Sequence, residues 1–179
     1  MRPDDSFHEL PGSSEGTTTA EELRLPTVCT STEGLRVASG GIVYRYLATG
    51  SETNGKYALF EATLRPGEGA PFHVHSREEE GFFVLDGEVA FYTESGRVPA
   101  VAGTFVNAST GVVRGFRNET ERDARMLILE APSGLEKMFL EDGIVLEDPA
   151  QEAPPGGGEC PILAESYGIS VLPYDLPPR

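Results

Sequence analysis

The chain has no tryptophan, only two cysteines and only three histidines. Without tryptophan, an aromatic core has to come from its nine phenylalanines and six tyrosines. Cys29 and Cys160 sit in separate, poorly patterned segments, and neither belongs to a C-x-x-C pair. That argues against a disulfide-stapled scaffold and fits two free thiols in a reducing compartment. No apolar run approaches the roughly 20 residues that a membrane-spanning helix needs. The opening stretch MRPDDSFHELPGSSEGTTTAEE lacks the basic start and apolar core of a signal peptide, so a cytoplasmic protein is expected. Basic residues are scarce, 14 Lys and Arg against 29 Asp and Glu, for a formal charge of −15. Binding to nucleic acid or an anionic membrane surface needs clustered Lys and Arg, so neither partner is expected.

What remains is enough for one domain with a real core. Residues 1–24 are rich in Ser, Thr, Glu, Gly and Asp and predict a mobile arm. Residues 25–131 alternate short runs of Val, Ile, Tyr, Phe and Leu with Gly, Asn and Ser punctuation. The runs include TVCT, IVYRYLA, KYALFEATL, PFHVH, EGFFVLD, EVAFYT, VVRGFRN and RMLILEA, with SETNG, RPGEG and ESGR among the turns. Many short strands with no helix between them predict an all-β antiparallel sandwich or barrel. Asp86-Gly87, between two apolar runs, predicts a hairpin. In KYALFEATL the pattern leaves open whether Tyr57, Leu59 and Glu61 or Ala58, Phe60 and Ala62 face inward. Residues 132–179 shift to short helices and a tail packed on the barrel. PSGLEKMFLEDG predicts a helix with Ser133 as N-cap and Glu136 closing a capping box. CPILAESYG predicts a second, with Pro161 in its first turn and Gly168 after its end.

The chemistry is concentrated in RPGEGAPFHVHSREEEGFFVLDGEVAFY, residues 65–92. Residues i and i+2 of a strand share a face, so His73 and His75 project together, away from Phe72 and Val74. Glu80 opens the next strand and returns toward them across a tight connection. Two histidines and one carboxylate are the ligand set of facial-triad iron(II) centres. The plain alternative is a pair of hydrogen-bonded histidines in a half-buried strand beside a solvated acidic loop. Phe82 shares the face of Glu80 by alternation and is a candidate apolar wall of a substrate site. Val112, Arg114 and Phe116 share a face in the same way. Tyr44, Tyr46 and Tyr92 are further candidate proton donors.

Gly67, His73, His75, Glu80 and Gly87 fall on every anchor of G-x5-H-x-H-x4-E-x6-G, the first motif of the cupin superfamily, which the chain resembles from about Leu35 to Leu172. Its order is similar to that of small single-domain cupins of quercetin 2,3-dioxygenase-like type. The resemblance implies a conical jelly-roll β-barrel with a site in its mouth. It also implies one divalent transition metal (iron, manganese, nickel or zinc), a small-molecule substrate and a homodimer.

The second motif, G-x5-P-x-G-x2-H-x3-N, is incomplete. Gly103, Gly111 and Asn118 fit, Ser109 replaces the proline, and Arg114 replaces the third metal-binding histidine. Arginine has no acceptor and stays protonated, so it cannot ligate a metal. If the resemblance holds in detail, Arg114 enters the barrel beside His73, His75 and Glu80, and Phe116 lines the substrate site with Phe82. Three functions stay open. The first is a metal-dependent dioxygenase acting on an aromatic, polyketide-like or enolisable substrate through His73, His75 and Glu80. The second is a metal-independent cyclase, isomerase or lyase that needs no cofactor. There Arg114 clamps an anion and the histidines or Glu80 move protons. The third is a non-catalytic small-molecule binder with an Arg114–Glu80 pair plugging the barrel.

Overall fold

The computed structural model describes residues 26–148, 151–155 and 162–178. The arm expected over residues 1–24 lies outside the described residues, as do Cys160 and Pro161. The strands in chain order are β1 (Arg36–Ser39), β2 (Ile42–Ala48), β3 (Ala58–Leu64), β4 (Gly69–His75), β5 (Glu79–Asp86), β6 (Glu88–Thr93), β7 (Gly96–Val101), β8 (Phe105–Ala108), β9 (Arg114–Arg117), β10 (Ala124–Ala131), β11 (Ile144–Val145) and β12 (Ile169–Val171). They form two antiparallel sheets, ordered β11-β1-β2-β3-β10-β5-β8 and β12-β4-β9-β6-β7. A helix, α1 (Glu136–Asp142), follows β10, and a single 3-10 turn at Ala164–Tyr167 precedes β12.

Alternation builds the core between the sheets. Ala58, Phe60, Ala62 and Leu64 of β3 are fully buried, which settles the inward face of that strand. Phe82 of β5 meets Phe91 of β6 and Phe116 of β9 at ring distances of 4.9 and 5.4 Å, joining the two sheets. The apolar face of α1 closes one end. Leu135, Met138 and Phe139 are buried there, and Phe139 stacks on Tyr44 at 4.1 Å.

Several local expectations are corrected. TVCT, residues 27–30, is irregular rather than a strand and only flanks the barrel. Gly96 and Arg97, expected in a turn, open β7, which pairs with β6 along its full length from Glu88↔Val101 to Thr93↔Gly96. An edge strand buries only Ala100 of its six residues, so no apolar alternation marks it. Pro99 is tolerated at such an edge. Asp86-Gly87 makes no hairpin: β5 pairs with β10 and β8, whereas β6 pairs with β7 and β9. Gly87, at φ 77°, carries the chain around a corner from one sheet to the other. A Cβ there would meet the Ala124 Cα at 3.0 Å.

The capping box is also not formed. Leu135 is the N-cap of α1, and no side chain caps it. The Glu136 carboxylate instead accepts from the backbone N–H of Gly50 at 3.0 Å and of Gly134 at 2.5 Å, tying the helix to the loop after β2. Beyond the 3-10 turn, β12 joins the sheet next to the histidine strand, with Ile169 opposite His75 and Val171 opposite His73.

Candidate active site

Strand β4 supplies the two histidines from the centre of its sheet, flanked by β12 and β9. Both rings are buried, His75 at 1% exposure, while Phe72 and Val74 lie on the other, half-buried face. The β4–β9 pairing puts Arg114 directly opposite His73. Glu80 comes from β5 in the facing sheet. The four side chains named from the sequence, His73, His75, Glu80 and Arg114, therefore meet between the sheets, all buried.

One atom organises them. Oε2 of Glu80 accepts a hydrogen bond from Arg114 Nε at 3.0 Å and lies 3.9 Å from His73 Nε2 and 3.8 Å from His75 Nε2. One donor atom from each of His73, His75 and Glu80 lies within 4.8 Å of the others. His73 Nδ1 sits 2.8 Å from the Pro71 carbonyl, which can only accept. In the neutral ring Nδ1 therefore carries the proton, which leaves Nε2 as the nitrogen whose lone pair faces the site. Arg114 is 2% exposed and its Nη1 donates to the Val112 carbonyl at 2.9 Å, while Nη2 is buried without a partner among the described residues.

Two further carboxyls complete the cluster, and sequence reasoning missed both. Glu130 of β10, 1% exposed, stands directly across the ladder from Glu80. Glu78, in the connection between β4 and β5, is also buried. Glu130 carried a signal: Ala124, Met126 and Ile128 fix the inward face of β10, and Glu130 continues that face with a charge. Glu78 carried none, since SREEE reads as a solvated loop.

Burial and neighbouring charge separate these groups. Burial, reinforced by the Arg114 and His73 charges, holds His75 down to about 4 against the pull of Glu80. Burial would raise Glu80, but His73, His75 and Arg114 outweigh it and keep this carboxylate ionised well below the usual range. Glu130 is pushed well above the carboxylate range, first by burial and then by the Glu80 charge. Burial likewise raises Glu78. The site thus sets side by side two carboxyls whose proton affinities are pushed in opposite directions, the arrangement that separates base from acid.

The cluster opens into a cavity of about 40 Å³ whose polar wall is His73, His75, Glu80 and Glu130. Its apolar wall includes Tyr44, Phe116, Ile128, Ile169 and the inner face of α1. Of the residues expected to contact substrate, Phe116 lines this cavity. Phe82 packs in the core between Phe91 and Phe116, and Arg114 lies outside the lining, held by Glu80. Of the candidate tyrosines, only Tyr44 lines it. Tyr46 donates to the Glu136 carbonyl at 2.7 Å, and Tyr92 donates to Glu119. A larger hollow of about 360 Å³, between the segment around Cys29 and the end of β2, gathers no comparable chemistry.

Residues 60–130 match the family model of the cupin domain. Over 115 residues the chain is 24% identical to a quercetin 2,3-dioxygenase of Bacillus subtilis (strain 168), a match covering 64% of this chain and 34% of that relative. It thus spans about a third of that relative's length. Among solved structures, a predicted oxalate decarboxylase from Thermotoga maritima superposes with a TM-score of 0.54 at 21% identity, over 59% of this chain and 97% of that one. KdgF from Halomonas sp. superposes with a TM-score of 0.52 at 16% identity, over 59% and 91%. At these identities the structures share the fold.

Proposed function

On the footing that the chain carries a cupin domain, we propose that it is a metal-dependent, dioxygenase-like enzyme. Its substrate would be a small aromatic, polyketide-like or enolisable molecule. The observation that carries this reading is the convergence of two imidazole Nε2 atoms and one ionised carboxylate oxygen at a buried point. The separations of 3.8 and 3.9 Å are too long for hydrogen bonds. Donors gathered this closely without hydrogen bonds to one another would suit a shared ion. The curated relative's name supports the same class of chemistry.

His73, His75 and Glu80 would hold the metal, and the metal would supply binding and activation of oxygen and of an enolate-type oxygen. The chain's own residues do the rest. The Pro71 carbonyl fixes the His73 tautomer. Arg114 holds Glu80 ionised and turned toward the histidines through one N–H. Glu130, in its protonated form, is placed at the cavity wall to give or take a proton. The apolar face of α1 excludes water from the mouth.

One observation favours a second reading. The buried, unpartnered Nη2 of Arg114 is a donor of the kind a metal-free anion clamp needs. Two features weigh against it: Nε and Nη1 are already engaged, and Arg114 is not among the residues lining the cavity. The test is metal analysis of protein purified without chelator, with oxygen uptake measured on enolisable aromatic substrates. Bound metal and oxygen-dependent turnover lost in chelator support the oxygenase. Turnover that persists in chelator, without oxygen uptake, replaces it with the clamp. Ligand affinity with no product under either condition leaves a binder.

We also propose a homodimer through the outer face of the seven-stranded sheet. Leu127, Phe83 and Phe105 stand in one cross-strand row there, with Leu129 alongside. Phe105 is 62% exposed. These side chains are uncharged, and two chains of formal charge −15 meet most readily on such a face.

A further inference from the structure

Three buried polar atoms at the back of the site face one another without hydrogen-bond partners among the described residues: His75 Nδ1, Glu78 Oε2 and Glu130 Oε2. The ring nitrogen lies 3.7 Å from the Glu78 oxygen and 3.8 Å from the Glu130 oxygen. Buried polar groups in folded proteins are paired, so a small rotation of one carboxyl should close this gap. Both neighbours offer accepting oxygens, and a carboxyl retains one even when it carries a proton. Nδ1 is then the protonated nitrogen, and Nε2, facing Glu80 at 3.8 Å, is the bare one.

His73 is held differently. There the Pro71 carbonyl fixes Nδ1–H at 2.8 Å. Among the described residues no backbone carbonyl is bonded to the His75 ring in the same way; two carboxyls occupy that position. They arrive from different elements, Glu130 on β10, in register with Glu80, and Glu78 three residues after His75. Neither belongs to the H-x-H-x4-E pattern that led to the site. We infer that Glu78 and Glu130 are positioning residues for His75. They hold its ring and tautomer so that both imidazoles turn their Nε2 lone pairs to the same point. The inference rests on the metal-centre reading for its purpose, but the tautomer it requires exists with or without metal.

The experiment uses full-length protein, stripped of metal, as wild type, Glu130→Leu, Glu78→Leu, the double leucine variant and Glu130→Gln. Each is titrated with Zn²⁺, and the histidine tautomers are read by nitrogen NMR of histidine-labelled protein. Loss of supporting partners of this kind weakens metal affinity by about 10–100-fold. The double leucine variant should show that loss, and each single variant less, because one acceptor remains. Glu130→Gln, which keeps an accepting oxygen, should stay near wild type. In metal-free wild type, His75 should carry its proton on Nδ1, and the double variant should lose that preference. Unchanged affinity and tautomer in the double variant would overturn the inference. A wild-type His75 protonated on Nε2 would overturn it with no variant needed, even if the leucine proteins fail to fold. If wild type binds no Zn²⁺, the metal-centre reading falls. The wild-type tautomer then decides alone: Nδ1–H upholds the positioning role and Nε2–H ends it.

Discussion

Replacing Arg114 by histidine removes a buried cation from the edge of the proposed metal site and restores an imidazole where the cupin pattern has one. Arg114 Nε is 3.0 Å from Glu80 Oε2, the oxygen that also faces both histidines. An ion held there would sit within roughly 6 Å of the guanidinium. At an effective dielectric near 20, a single and a double positive charge at that range repel by about 5–6 kcal/mol. A quarter of that is about tenfold in affinity. In metal-free protein the change acts the other way, because it leaves the buried Glu80 carboxylate without its cation. Breaking a buried pair in this manner costs about 3–5 kcal/mol. The variant should therefore unfold at lower urea than wild type when stripped of metal, yet bind Zn²⁺ at least tenfold more tightly by calorimetric titration. Weaker binding than wild type would refute the reasoning, since the hold of Arg114 on Glu80 would then outweigh its repulsion of the ion.

Enlarging the mouth should change what enters it. The cavity of about 40 Å³ has room for about three waters at roughly 10–15 Å³ each, so an aromatic substrate needs the face of α1 to give way. Met138→Ala should lower stability by about 2–5 kcal/mol while raising kcat/KM for bulkier substrates relative to smaller ones, read from a substrate-size series. A uniform loss across the series would contradict this role for α1. Away from the site, Tyr92, Arg117 and Arg97 hold Glu119 down to about 2 against burial. Its folded value is depressed, so its contribution is present above the ordinary carboxylate range and is lost as pH falls through about 2. Glu119→Gln should be less stable than wild type at pH 7, and the gap should narrow steadily below about pH 4.5 in urea titrations. On the outer sheet, Phe105→Ser with Phe83→Ser should shift a dimer toward monomer in sedimentation without disturbing the fold, because both side chains are exposed; an unchanged mass would place the dimer contact elsewhere.

The strands that carry the site were legible because burial on one face writes a period of two, as in HVH on β4 and AMIE at alternate positions of β10. The same rule failed where it had nothing to act on. Edge strand β7 is exposed along nearly all its length, so pairing through backbone bonds left no mark in side chains. TVCT has strand-forming residues but forms no ladder with any described strand, touching β2 through side chains instead. Asp86-Gly87 does supply a left-handed residue, yet that conformation serves a corner between sheets as well as a hairpin, and only partner strands distinguish the two. Glu136 fitted a capping box three residues from Ser133, but the backbone N–H of Gly50, distant in sequence, took its carboxylate. The convergence of His73, His75, Glu80 and Arg114 followed a spaced motif. The motif is silent on Glu130, whose inward face was readable from β10 but whose place beside Glu80 follows from the β10–β5 register.

The most direct measurement is an equilibrium titration of chelator-stripped protein with a divalent transition metal, for wild type and for His73→Ala, His75→Ala and Glu80→Gln. A metal centre at His73, His75 and Glu80 requires one ion per chain, with affinity sharply reduced in each variant. A wild type that takes up no ion, or variants that take it up as well as wild type, would contradict it.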